Sequence, residues 1–468
     1  MSRIRKHDLP LRVVKLLNLL LMTVIFAGSW YMYYSDRAFV QYYNKGNYLI
    51  ILIFTILYFL LGRVYEAFQI SHFRISEMIY SQSLAAVISD AIMYVIICLL
   101  TLDAPNILPL MMTFICQLLI SICWSFLSHR WYFSTFMPRR TAVVYDVREG
   151  LEKLVDEYGM DVKFNVVKTQ YVKECIEDLD SLNDCEVVFI SGVHSHDRNI
   201  ILKHCMYHAI SVYVIPRVGD VIMSGAKKMH MFHLPILRVD RYSPNIEYIF
   251  VKRVFDIIVS LCALILVSPV MLITAAAIKA VDHGPVFYKQ CRLTKNGKKF
   301  YVMKFRSMYV DAEKDGIARL STGENDSRIT PVGKVIRKIR IDELPQLFNI
   351  LKGDMSIVGP RPERPEIAEQ YEKEMPEFAL RLQAKAGLTG YAQVYGKYNT
   401  TPYDKLQMDL MYIAHPNFLE DLRICFATIK ILFEPESTEG ISEGMITAME
   451  IAGQEAAAAA VGNQQKSG

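Results

Sequence analysis

Four long apolar runs crowd the first 130 residues: about Val13–Tyr34, Tyr48–Val64, Leu84–Leu102 and Ile107–Leu127. Each approaches the roughly 20 residues a helix needs to cross a bilayer's hydrocarbon core. They predict a four-helix transmembrane domain over residues 1–130. A cleaved signal peptide is the weaker reading of the first run, because no small-residue cleavage site follows it and three more runs do. Trp30, Tyr31, Tyr33 and Tyr34 suit an aromatic belt at the outer end of the first helix. Asp90 and Gln117 lie inside the runs; Asp90, near an end, is expected to face another helix.

Basic residues set the orientation. Arg3, Arg5, Lys6, Arg12 and Lys15 lead the chain, Arg63 and Arg74 stand in the second loop, and Arg130, Arg139 and Arg140 follow the fourth run. The intervening loops carry only Arg37 and Lys45, or no basic residue at Asp103–Asn106. The positive-inside rule then puts the N-terminus and everything after residue 130 in the cytoplasm.

The composition fits a membrane chain with soluble parts: 52% hydrophobic, 21% charged, mean hydropathy +0.20. It excludes a disordered chain, a collagen repeat and a small disulfide scaffold. A net charge of +4 is too small to argue for nucleic acid. Nine scattered cysteines, none in C-x-x-C spacing, favour neither a zinc site nor a disulfide framework.

Residues 139–240 read as an α/β module. Thr141–Asp146, Val162–Lys168, Val187–Ser191 and Val212–Ile215 are strand-like and alternate with helical stretches such as Glu149–Tyr158 and Asp197–Ala209, the pattern of a parallel sheet. The first strand lacks a G-x-G-x-x-G turn, so a dinucleotide would find no phosphate cradle. His194, His196 and Asp197 read as polar surface rather than metal ligands. A fifth apolar run, Val254 to Ile278, has basic residues on both flanks and Ser268-Pro269 near its middle. Full crossing would put the basic segment Lys289–Arg340 outside, and proline kinks a helix. A helix over 254–278 broken there can be re-entrant, entering and leaving by one face; a fifth spanning helix that tolerates the proline is the alternative. The alanine-rich stretch 435–468 reads as a weakly ordered tail.

Chemistry concentrates between 284 and 434. Lys295-Asn296-Gly297-Lys298 predicts a hairpin turn. Lys304 and Arg306, two apart on a strand, would point to one side. Gly333–Arg340 is an amphipathic basic helix suited to an anionic surface or a polyphosphate. Asp342-Glu343 follows, with Asp342 expected to cap the next helix and Pro345 in its first turn. Capping alone would explain an isolated Asp-Glu pair. Here cations surround it, and the rigid Gly359-Pro360-Arg361-Pro362 turn offers one guanidinium for bidentate phosphate binding.

Lys304-Phe305-Arg306-Ser307-Met308, the run Asp342–Leu347, the run Gly353–Pro362 and the run Gly387–Val394 resemble, in order, the motifs of the bacterial sugar transferase family. The resemblance covers residues 247–434. It implies a membrane protein with three parts: a bundle of four transmembrane helices, a cytoplasmic Rossmann-like α/β module, and a mostly α monotopic catalytic domain broken at Ser268 and Pro269. The implied activity is transfer of hexose-1-phosphate, glucose or galactose most often, from a UDP-sugar to undecaprenyl phosphate at the bacterial inner membrane, in exopolysaccharide, capsule or O-antigen assembly. Residue by residue, it implies Asp342 as nucleophile, Glu343 as its acidic partner near Mg²⁺, and Lys304, Arg337 and Arg361 near the phosphates. Arg306 is added from the strand pattern alone. Ala386 stands where many members have proline. The α/β module is left a role in regulation or in a homo-oligomer. The rival readings are an inactive membrane scaffold or sensor, and a transporter. An inactive relative would be expected to have lost Asp342, Arg337 or Arg361.

Overall fold

The structure, a computed structural model, describes residues 3–37, 44–70, 75–147, 150–242, 244–310, 328–396 and 400–431. Arg74 and the 435–468 tail lie outside them. The chain divides into two compact units, Met1–Pro216 and Arg217–Gly468.

The first unit opens with four helices, α1 (Arg3–Ser29), α2 (Asn44–Val64), α3 (Ile75–Thr101) and α4 (Leu108–Thr135). All four hold a segment long and apolar enough to cross a membrane, as does a fifth helix in the second unit, and the chain is a membrane protein. Their outer faces remain apolar, for example at Leu20, Leu99 and Leu127, whereas the inner contacts mix aromatic and polar groups. Asn18 donates to Gln82 (3.1 Å), and Tyr58 donates to Asn18 (3.1 Å). The aromatic cluster splits. Trp30 and Tyr34 are buried, donating to Asn47 (3.0 Å) and the Asn106 carbonyl (2.8 Å), while Tyr31 and Tyr33 stay exposed. Asp90 is not near an end, because α3 begins nine residues before the apolar run. It sits mid-helix, accepting from Gln117 of α4 at 3.4 Å.

After α4 the backbone alternates β1 (Arg139–Tyr145), α5 (Leu151–Glu157), β2 (Phe164–Tyr171), α6 (Val172–Glu177), β3 (Val187–Ser191), α7 (Ser195–Tyr207) and β4 (Ser211–Ile215). The four strands form one parallel sheet in the order β2-β1-β3-β4. β1 and β3 are central and apolar on both faces, as buried parallel strands must be.

The second unit begins with α8 (Val218–Ser224), whose Val218 and Val221 join the same core as Leu406 and Leu410. The hairpin β5 (Lys227–Met231) and β6 (Leu234–Arg238) follows, so residues 217–238 go with this unit rather than with the sheet. Helix α9 runs from Ile246 to Asp282 with Pro269 inside a continuous helical assignment. Its first turns are bolted down by polar groups. Lys252 pairs with Asp421 (2.7 Å), Arg253 donates to the Ile350 and Leu351 carbonyls (2.7 Å each), and Asp256 accepts from Ser356 and from the Ile357 N–H. Its far half packs Met271 and Ile278 against Phe305 and Ile336.

β7 (Phe287–Leu293) and β8 (Lys299–Phe305) pair antiparallel, with Asn296 and Gly297 both at positive φ in the turn, the twist a tight hairpin prefers. α10 (Pro331–Lys338) is capped by Thr330, whose Oγ1 accepts from the Gly333 N–H at 2.9 Å. Then come α11 (Gln346–Lys352), β9 (Ser356–Val358), α12 (Pro365–Glu374), β10 (Gly387–Thr389), α13 (Tyr391–Tyr395), α14 (Pro402–Ala414) and α15 (Phe418–Ile431).

Candidate active site

Asp342 does not cap a helix. It lies in a short 3₁₀ turn, Ile341–Glu343, and Pro345 immediately precedes α11. Arg340, at φ 55°, makes the sharp exit from α10 that starts this turn. The turn is steadied from below: Asn349 of α11 accepts from the Met303 N–H (2.9 Å) and donates to the Tyr301 carbonyl (2.8 Å), tying α11 to β8 as a neighbouring strand would.

Lys304, near the end of β8, reaches Glu343 Oε1 at 3.0 Å, and Arg361 Nη2 reaches the same oxygen at 3.2 Å. Burial alone would raise the Glu343 carboxyl, but Lys304 and Arg361 outweigh it and hold it well below the ordinary range. Its neighbour goes the other way. Burial lifts the Asp342 carboxyl and the Glu343 charge adds to that, against the pull of Lys304, Arg337 and Arg361. Two adjacent carboxylates are thus split, one locked as an anion and one made more basic. Among the described residues Asp342 has no hydrogen-bond or ion-pair partner.

Lys304 and Arg361 therefore meet on Glu343, and the Arg337 charge adds to the pull on Asp342. Arg306 lies elsewhere. It falls just past β8, 7% exposed, with its guanidinium against Gly284, where a Cβ would stand 2.0 Å from Nη1.

The Arg361 turn is held by its own backbone. The Pro360 carbonyl accepts from the Gly387 N–H (2.9 Å), Arg361 from Arg381 Nη2 (2.9 Å), Pro362 from Arg292 Nη1 (3.0 Å), and Glu363 from the Leu293 N–H (3.0 Å). Arg381 is 6% exposed and also pairs with the buried Asp409 at 2.6 Å. Burial pushes Asp409 up to about 6 despite that cation, and it pulls Arg292 down to about 10. Arg292, Arg381 and Asp409 were not legible as site residues, since 28 positions separate the Arg381–Asp409 pair and neither sits in a local motif. Gly387 must be glycine: a Cβ there would meet Gly359 N at 2.1 Å. Ala386 has a use that proline could not serve, because its N–H donates to Thr294 Oγ1 at 3.1 Å.

The residues present suit a hard divalent cation. Such an ion takes carboxylate oxygens and keeps positions for water and phosphate. Among the described residues Asp342 makes no hydrogen bond or ion pair, and the cations on Glu343 take its Oε1.

The split carboxylate dyad thus stands against Lys304 and Arg361, in a unit that also carries a long apolar helix. Residues 247–435 match the bacterial sugar transferase family. The UDP-N-acetylgalactosamine-undecaprenyl-phosphate N-acetylgalactosaminephosphotransferase of Aeromonas hydrophila is 39% identical over 234 residues, 49% of this chain and 54% of that protein. The UDP-glucose:undecaprenyl-phosphate glucose-1-phosphate transferase of Klebsiella pneumoniae is 39% identical over 47% of this chain and 48% of its own length. The enzyme of that same description in Caulobacter vibrioides is 36% identical over 199 residues, 42% of this chain and 74% of that protein. The chain thus spans about half the length of the first two relatives. It belongs to the bacterial sugar transferase family.

Proposed function

We propose that this chain transfers a sugar-1-phosphate from a UDP-sugar to undecaprenyl phosphate, releasing UMP, with a hexose-1-phosphate such as glucose or galactose as the group moved. The carrying observation is the split dyad: an unpartnered, more basic Asp342 beside a Glu343 locked as an anion by Lys304 and Arg361. The printed activities of the relatives support the same reaction class.

In this reading an Asp342 oxygen attacks the phosphorus attached to the sugar, and the phosphoanhydride bond breaks toward UMP. The aspartyl-phosphosugar is then attacked by an oxygen of undecaprenyl phosphate, and the Asp342 carboxylate leaves. Splitting one transfer into two displacements gives ping-pong kinetics. Arg361 and Arg337 offset charge on the transferred phosphoryl group, and Lys304 keeps Glu343 ionised. Mg²⁺, held by Asp342 and Glu343, would stabilise the pyrophosphate charge when bound.

The layout we infer is a four-helix transmembrane bundle, a Rossmann-like cytoplasmic module and a monotopic catalytic domain in the inner membrane, facing the cytoplasm. Two observations support re-entry at Ser268-Pro269. Asp256 and Ile278 are 22 residues apart, roughly 33 Å along a straight helix, comparable with the hydrocarbon core. Yet both contact one compact unit, Asp256 at Ser356 and Ile278 at Phe305 and Ile336. On α10, Val335 and Ile339 are exposed beside Lys334 and Lys338, as an interfacial helix requires. The scaffold reading is disfavoured by the complete set Asp342, Glu343, Lys304, Arg337 and Arg361.

The test is UMP release by the detergent-solubilised chain given undecaprenyl phosphate, Mg²⁺ and a panel of UDP-sugars. Release with one sugar, abolished by EDTA, is expected; no release with any would refute the reading.

A further inference from the structure

Outside the catalytic unit, the histidines that converge are not His194 and His196. His194 faces Asp146 instead, at 3.9 Å. The pair that meets is His204 and His208, one helical turn apart at the end of α7, where the His208 N–H donates to the His204 carbonyl (3.0 Å) and the ring centroids lie 4.5 Å apart. Asp180, on the 3₁₀ turn Leu179–Leu182, faces them. One ligand atom from each of the three residues lies within 4.8 Å of the other two.

Both supporting elements are anchored from beneath. Leu182, Ile201 and Cys205 are fully buried in one cluster, so the backbones carrying the three side chains are positioned by the core. A further residue orients them. Asn183 Nδ2 donates to Asp180 Oδ1 at 3.0 Å, and Asn183 Oδ1 lies 2.9 Å from His204 Nε2. A carboxylate can only accept, so the amide must direct its nitrogen at Asp180 and its oxygen at His204. His204 Nε2 then carries the proton, and Nδ1 keeps the lone pair. Metal-bound histidines are held in this way, the second ring nitrogen donating to a fixed acceptor.

We propose that Asp180, His204 and His208 form a binding site for a divalent cation of the zinc class, with a fourth position open to water. Two imidazoles and one carboxylate suit Zn²⁺ and not Mg²⁺, which demands oxygen. Zn–N bonds of about 2.0–2.1 Å bring tetrahedral ligand atoms to roughly 3.3 Å from one another. Closing from 4.8 Å needs only rotamer adjustment of side chains that are exposed or half-buried. The bound ion would clip the turn after α6 to the end of α7. The cysteine spacing favours no thiolate site, and this one uses none.

The test is calorimetric titration of the chelator-stripped full chain in detergent with Zn²⁺, in a buffer holding excess Mg²⁺. One Zn²⁺ per chain is expected, undisturbed by Mg²⁺. His204→Ala and His208→Ala should abolish that site, and Asn183→Ala should weaken it about 10–100-fold. The His194→Ala/His196→Ala double variant should bind as the parent does. Zn²⁺ should also raise the unfolding temperature of the parent chain but not of His208→Ala. Asp180→Asn, which preserves shape, provides a second variant that should lose affinity. No Zn²⁺ binding, or binding unchanged in the His204→Ala/His208→Ala double variant, would overturn the proposal.

Discussion

Arg381→Met removes one guanidinium that serves both the buried Asp409 and the carbonyl of Arg361. Burial pushes Asp409 up to about 6, which leaves it ionised at pH 7 by a margin of one unit. Without Arg381 its carboxyl can escape by taking up a proton, which caps the electrostatic cost at that margin, about 1.4 kcal/mol. Losing a charged donor to the Arg361 carbonyl adds roughly 1.5–3 kcal/mol. The expected destabilisation at pH 7 is therefore about 3–4 kcal/mol. Below its raised value Asp409 holds its proton with or without Arg381, so at pH 5 its share should vanish, leaving the loss of the Arg361 carbonyl and Glu363 contacts. The sign follows from linkage. The folded parent binds this proton more tightly than the unfolded chain, so its stability falls as pH rises toward about 6 and then levels off. In the variant the fall should continue through pH 7. Urea pulse proteolysis of the detergent-solubilised chain suits the measurement, because Trp30, Trp124 and Trp131 all lie in the first unit and would not report on this one. A loss that is equal at pH 5 and pH 7 would refute the assignment of Asp409 as the coupled group. So would a total loss under about 1 kcal/mol, given that breaking a buried pair ordinarily costs more.

Asp342→Asn should abolish UMP release, since an amide cannot displace UMP, while Glu343→Gln should keep a small residue; substantial turnover by Asp342→Asn would remove it as nucleophile. Because burial lifts the Asp342 carboxyl, kcat/KM should fall with acidification at a pH above the ordinary carboxylate range, and a limb at the ordinary value would contradict the desolvated site. Loosening the Arg361 turn through Arg381→Met should lower UMP release by about 10²-fold, as a misplacement near 1 Å does. That rate should be compared at a temperature where the variant is still folded. Cysteines placed at Glu247 and Asn296 should both be labelled from the cytoplasmic side only; periplasmic labelling at Asn296 would defeat re-entry.

Local pattern determined much of this protein. The five apolar helices, the alternating strands of the parallel sheet, the Asn296-Gly297 turn and the family motifs follow from hydropathy period, turn chemistry and neighbouring residues, which act over a few positions. The Asp342-Glu343 pair, with basic residues close to it in sequence, stands out for the same reason. What only the tertiary structure decided involves partners far apart in sequence. It put Lys304, not Arg306, on Glu343, because the strand ends between them and Gly284 leaves room for the Arg306 guanidinium. It moved Asp342 from a helix cap into a 3₁₀ turn, set by Arg340 in a left-handed conformation. It supplied Arg292, Arg381 and Asp409 as the clamp on Arg361, and it brought Asp180 to His204 and His208 across 24 residues. Burial is a property of the folded chain, and so is the direction in which each carboxylate of the dyad is driven: sequence places two acids side by side, but only packing makes one of them the more basic.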